Sequence, residues 1–145
     1  MIKTFTLNEI ENVANYLFKK INNTKHEGAK LITLSGDLGT GKTTFTKELA
    51  KILGVEKEII SPTFVIMKKY KTKNKNFKYL IHIDAYRLKN GKDLLNLGWQ
   101  EIVSDKDNLI IMEWPEMVED CLNNERHKVI LGHKDANTRS IEILL

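Results

Sequence analysis

The stretch LITLSGDLGTGKTTFTKELAKILG, residues 31–54, decides the fold. Leu31–Ser35 is a short apolar run bounded by loop signals, which predicts a buried strand. A glycine-rich turn follows at once. Lys42 to Leu53 then shows helical periodicity through Phe45, Leu49 and Leu53, and Gly54 ends it. Gly36 to Thr43 fits G-x-x-x-x-G-K-[ST], the sequence form of a phosphate-cradling loop, in the strand–loop–helix context that such a loop requires. Gly36, Gly39 and Gly41 free the backbone N–H groups to converge on phosphates, and the helix start adds its positive dipole end. Lys42 is placed to bridge β- and γ-phosphate oxygens, Thr43 to ligate Mg²⁺ and Thr44 to reach an α-phosphate.

Upstream, Thr6-Leu7-Asn8-Glu9 has the capping-box pattern, and Ile10, Val13, Ala14, Leu17, Phe18 and Ile21 form an apolar stripe, so residues 8–21 predict a helix. NNTKHEGA, residues 22–29, reads as a polar loop. Downstream, Ser61-Pro62-Thr63 opens an extended segment, Phe64 to Tyr70, and a lysine-rich turn around Asn74 leads into Phe77 to Asp84 as a β-hairpin. Residues 90–103 predict a loop and a short helix, and Leu109 to Glu113 a second buried strand. Lys128 to His133 and Arg139 to Leu145 read as two strands joined by KDANT. With no repeat and no linker, the expectation is one α/β domain over residues 1–145.

The 145 residues are 41 % hydrophobic and 29 % charged, ordinary values for a soluble globular chain. One cysteine, Cys121, rules out an intrachain disulfide and reads as a small packing side chain. Lys3, Glu9 and Glu11 stand where a signal peptide needs an apolar core, and no run is long enough to span a bilayer, so a cytoplasmic location is expected. The net charge of +4 and pI near 9.1 favour negatively charged neighbours. The basic surplus is concentrated in KKYKTKNKNFK, residues 68–78. That segment reads either as a solvated hairpin whose lysines discourage edge aggregation or as a contact for RNA phosphates or an acidic partner.

A magnesium ion among phosphates needs at least one carboxylate, usually at the end of an apolar strand. Asp84, after YLIHI, and Glu113, after LIIM, both fit. One would hold the metal shell while the other orients or deprotonates a water, and the residues alone do not assign the roles. His82 shares a strand face with Asp84 and reads as a hydrogen-bonded structural group. Arg87 would either neutralise phosphate charge or pair with a carboxylate. Pro62 fixes an extended entry that presents the Thr63 hydroxyl. Trp114, next to Glu113, is the better placed of the two tryptophans to line the site.

Four separated segments resemble one family: Gly36-Asp37-Leu38-Gly39-Thr40-Gly41-Lys42-Thr43-Thr44, Ser61-Pro62-Thr63, His82-x-Asp84-x-Tyr86-Arg87 and Glu113-Trp114-Pro115. In order and spacing they are similar to the TsaE (formerly YjeE) family of small bacterial ATPases required for threonylcarbamoyladenosine formation in tRNA. The resemblance implies a P-loop NTPase-like α/β fold: a mostly parallel central sheet with antiparallel additions, and helices on both faces. It implies binding and hydrolysis of Mg²⁺-ATP that resets a TsaD-type catalytic subunit and its TsaB-type partner. By the same resemblance Gly39, Thr40, Gly41, Lys42, Thr43 and Thr44 hold the nucleotide, with Glu9, Glu116 and Arg139 as further contacts. Thr43 and Glu113 then form the magnesium-linked pair and Asp84 is a catalytic or water-positioning carboxylate that also serves the metal.

Rival readings have less support. A small-molecule kinase usually needs lid arginines, and the chain has only Arg87, Arg126 and Arg139. A GTPase would carry N-K-x-D and D-x-x-G, and neither occurs. A nucleotide-gated interaction module with incidental hydrolysis uses the same loop.

Overall fold

The computed structural model describes every residue except 1, 7–8, 24–26, 38–39, 61–65, 123–124, 134–137 and 145, together with the side chains of all but 2–5 and 139 among the rest. Strands are β1 (Ile2–Thr6), β2 (Lys30–Ser35), β3 (Met67–Lys71), β4 (Tyr79–Asp84), β5 (Asn108–Glu113), β6 (His127–His133) and β7 (Thr138–Leu144). Helices are α1 (Ile10–Asn22), α2 (Lys42–Leu53), α3 (Gly91–Leu95) and α4 (Trp99–Ser104), and a 3-10 helix covers Pro115–Cys121.

The strands form one seven-stranded sheet in the order β1-β7-β6-β2-β5-β4-β3. The central four, β6, β2, β5 and β4, are parallel, while β3 at one edge and the β7–β1 pair at the other are antiparallel. β5 is buried along its whole length because both of its faces are covered. On one face Leu34, Leu109, Ile111 and Val129 pack with Leu17 and Ile21 of α1 and Phe45 and Leu49 of α2. On the other, Leu31, Ile110 and Met112 pack with Leu94 of α3, Trp99 of α4 and Val118 of the 3-10 helix. The result is the expected mixed sheet with helices on both faces.

Several boundaries differ from expectation. Thr6 is the last residue of β1, paired with Thr138, so it cannot also begin the first helix. Glu9 takes the N-cap position, and its carboxylate accepts the Thr6 N–H at 3.0 Å and the Thr6 hydroxyl at 3.2 Å. β1 itself has no strong signal in the sequence; it forms because β7 offers an antiparallel edge. Residues 90–103 hold two short helices rather than one, divided at Gly98, whose φ of 88° ends the preceding turn. The hairpin pairs as expected, with Tyr70 opposite Leu80, although Phe64 and Val65 lie outside the described residues.

Phe45 anchors α2, and with it the loop, to the sheet and is fully buried. Phe45→Ala is expected to lose about 3–5 kcal/mol of unfolding free energy in urea titration. A loss below about 1 kcal/mol would contradict this packing role.

Candidate functional site

The parallel strands end together. Asp84 is opposite Glu113, and Glu113 is opposite Leu34, so the ends of β4, β5 and β2 form one row. Ligands in open α/β sheets bind outside these carboxyl ends. The loop after β2 lies there. Gly36 has φ 146°, and a Cβ on it would stand 2.4 Å from the Leu131 carbonyl oxygen and 2.8 Å from Thr40 Oγ1, so only glycine fits. Thr40 is buried; its hydroxyl donates to the Asp37 carbonyl at 2.8 Å and its N–H at 3.3 Å, bracing the turn.

Gly41 caps α2 with φ 106° and provides no side-chain acceptor. The helical ladder begins with the Phe45 N–H on the Gly41 carbonyl at 2.8 Å. The N–H groups of Lys42, Thr43 and Thr44 therefore point out of the helix start, and no acidic side chain occupies its first turn. Such a donor set fits an anion.

Lys42 is 6 % exposed. Its ammonium donates to the Gly36 carbonyl at 2.6 Å and lies 4.0 Å from the centroid of the Trp114 ring. Burial pulls its pKa below the ordinary value, against the upward pull of Glu113, Glu116, Asp84 and Asp37. A phosphate chain would bring the same kind of compensating charge.

Glu113 is also buried, and its Oε2 lies 2.7 Å from His82 Nε2. Because an ionised carboxylate can only accept, the Nε2 N–H donates to Glu113, while Nδ1 of His82 has no partner among the described residues. This pairing follows from register: His82 is opposite Ile111, two residues before Glu113 on the same face. Asp84 accepts the Tyr86 N–H at 3.0 Å. Its pKa is raised, chiefly by burial and also by Glu113, against the lowering effects of the Tyr86 N–H, His82 and Lys42. Trp114 is the one described non-glycine residue with positive φ, at 58°. That conformation costs about 1–2 kcal/mol. It turns the chain from β5 into the 3-10 helix, and the Trp114 ring contacts both Lys42 and, at 5.1 Å between centroids, Tyr86.

Lys42, Asp84, Glu113 and Glu116 thus meet electrostatically at one place, as does Asp37, which composition alone did not single out. Thr43 and Thr44 occupy the second and third positions of α2. Glu9 is adjacent: Ile10 Cδ1 is 3.6 Å from where a Cβ on Gly41 would stand, which brings the start of α1 beside the loop. Arg139 stands opposite His133 near the start of β7, and its side chain lies outside the described residues. Gly39, Ser61, Pro62 and Thr63 lie outside them as well. The sequence missed the His82–Glu113 pair, for which strand alternation was the only available hint. Among the described residues no three His, Cys, Asp or Glu side chains cluster as a metal cage, and no helix is long and apolar enough to cross a membrane.

A mostly parallel sheet with a glycine-rich loop leading from β2 into α2 defines a P-loop NTPase-like fold. The crystal structure of Bacillus subtilis YdiB superposes with a TM-score of 0.68 at 27 % identity, covering 97 % of this chain and 84 % of that one. The family model described as threonylcarbamoyl adenosine biosynthesis protein TsaE matches residues 5–141, and the chain belongs to the TsaE family. Proteins named tRNA threonylcarbamoyladenosine biosynthesis protein TsaE are similar to it in Rickettsia felis (38 % identity, 79 % of this chain and 64 % of the relative) and Bacillus subtilis (36 %, 77 % and 66 %). The Streptomyces coelicolor protein of that name is 41 % identical over 74 % of this chain and 72 % of its own length. The chain thus spans under two thirds of the Rickettsia felis relative.

The raised pKa of Asp84 means that the folded state holds this proton more tightly than the unfolded chain. The ionised carboxylate therefore costs stability, fully above the folded pKa and not at all below the ordinary value of 3.8. Without nucleotide or metal, Asp84→Asn is expected to unfold at higher urea than the parent near neutral pH, with the gap narrowing as pH falls through the folded value. An Asp84→Asn protein less stable than the parent at neutral pH would contradict the burial account.

Proposed function

We propose that this chain is an accessory ATPase for threonylcarbamoyladenosine modification of tRNA, working with a TsaD-type catalytic subunit and a TsaB-type partner. The observation that carries the catalytic half is the buried Lys42 ammonium at a helix start, facing Glu113 and Asp84 at paired strand ends. The tRNA half rests on membership of the family and on the names of the relatives.

The N–H groups of Lys42, Thr43 and Thr44 hold the phosphates, and Lys42 leaves the Gly36 carbonyl to neutralise the β- and γ-phosphate oxygens. The Thr43 hydroxyl and Glu113 would hold Mg²⁺, which when bound would neutralise charge on the phosphates. His82 supports this role of Glu113 by holding one carboxylate oxygen in place. Asp84, more basic than an ordinary carboxylate, orients the attacking water and takes its proton. Glu9, Glu116 and Arg139 complete the nucleotide contacts.

A gating role draws on one further observation. Tyr86 is 59 % exposed, yet its ring contacts Trp114, which contacts Lys42, so a phosphate that moves Lys42 changes an outward-facing surface.

Lys42→Ala is expected to lower ATP hydrolysis by about 100-fold or more in a folded protein. Unchanged kinetics in that variant would refute the site. Hydrolysis is expected to rise when purified TsaB- and TsaD-type proteins are added; phosphorylation of a small acceptor would instead point to a kinase. Glu113→Ala separates turnover from gating: lost hydrolysis with ATP-dependent partner association intact is the expected result.

A further inference from the structure

Far from the loop, at the opposite end of α2, a cleft of about 640 Å³ runs between residues 54–57 and the hairpin of β3 and β4. The 12 residues of α2 separate it from the phosphate loop by roughly 18 Å. β4 likewise begins at Tyr79 in the cleft and ends at Asp84 in the nucleotide site. Its volume lies in the range of about 300–1,000 Å³ that holds small ligands. The lining carries four lysines, Lys57, Lys69, Lys71 and Lys73, against one carboxylate, Glu56.

That excess is local. From residue 59 to 83 the chain has six lysines and no Asp or Glu. Lys73 is paired with Glu56 at 2.6 Å, whereas Lys57, Lys69 and Lys71 make no ion pair among the described residues, and all three are exposed. Lys71 is opposite Tyr79 in the hairpin, and the Lys69 ammonium lies 4.0 Å from the centroid of the Tyr79 ring. Lys69, Lys71 and Tyr79 therefore share the side of the strand pair opposite Tyr70 and Leu80, and the Lys69 ammonium covers the Tyr79 ring.

The α2 terminus does not fill the cleft with free carbonyls. Gly54, Val55 and Lys73 donate N–H groups to Ala50, Lys51 and Leu53. The turn beyond is braced too, with Asn74 accepting from the N–H groups of Asn76 and Phe77 and the Thr72 hydroxyl donating to the Phe77 carbonyl. The lysines are thus displayed on a firm support.

We propose that this cleft is a second binding site, for the phosphate backbone of a single-stranded RNA segment, held by Lys57, Lys69 and Lys71. A positively charged groove that tracks the backbone is one of the elements by which proteins hold single strands. An acidic peptide added to the β3 edge fits less well. Gly54 packs against Lys73, with 2.9 Å between a Cβ built on Gly54 and Lys73 Cβ, which closes the edge at that end.

The test uses the whole chain without nucleotide, so its outcome is independent of turnover at Lys42. Anisotropy of a fluorescein-labelled, unstructured RNA of about 12 nucleotides is titrated at several salt concentrations, from about 50 to 300 mM. Lys69→Gln/Lys71→Gln is compared with the charge-matched Lys89→Gln/Lys92→Gln on exposed positions around α3. The cleft variant is expected to bind about tenfold more weakly and to reduce the slope of log affinity against log salt by about 1.4, at about 0.7 per lost phosphate contact. The control is expected to bind like the parent. Equal losses in both variants, no binding by the parent at the lowest salt, or displacement of the RNA by polyglutamate as readily as by unlabelled RNA would each overturn the proposal.

Discussion

A buried ammonium has to stay charged in a place that excludes most water, and much of this structure is arranged around that requirement at Lys42. Removing a lysine from water disfavours its charge, which is the direction in which burial moves Lys42. The compensation comes from several elements at once: the Gly36 carbonyl, the Trp114 ring and four carboxylates. Each depends on a different piece of backbone. Gly36 must adopt φ 146° against Leu131, and Trp114 must adopt a left-handed conformation after β5.

The parallel register makes the carboxylate side of this arrangement possible. Asp84 and Glu113 become neighbours because β4 and β5 pair directly, although 29 residues separate them in the chain. Two carboxylates facing one lysine strain the folded state, since Asp84 is desolvated and feels Glu113. Such strain is common at functional sites. His82 relieves part of it by giving Glu113 a hydrogen bond that water would otherwise supply. It has no comparable partner for its own Nδ1 among the described residues, so its orientation is set by Glu113 and by packing.

The two ends of the sheet carry opposite electrostatic character. At the carboxyl ends of the parallel strands, acidic side chains gather around one lysine. Beyond the other end of α2, lysines line a cleft with a single carboxylate among them. α2 connects the two, with its free N–H groups at the loop and its last carbonyls already bonded at the cleft. One helix thus joins two surfaces suited to phosphate groups.

How much was legible in the residues follows the range of the interactions. The loop, α2, β2 and β5 were readable because their signals are local: glycine spacing, a 3.6-residue stripe and short apolar runs. The hairpin was readable from its turn chemistry. β1 was not, because Ile2–Thr6 becomes a strand only through pairing with β7. The split of residues 90–103 turns instead on the positive φ of Gly98, a local feature that the reading of one short helix passed over. By itself the sequence determined that this chain carries a phosphate loop, two strand-end carboxylates and a lysine-rich hairpin. Tertiary structure alone decided that His82 would hold Glu113, that Glu116 would act on Lys42 and that Trp114 would lie against the ammonium. Those are contacts between separated segments, and their geometry depends on strand register and on one backbone conformation that no local propensity favours.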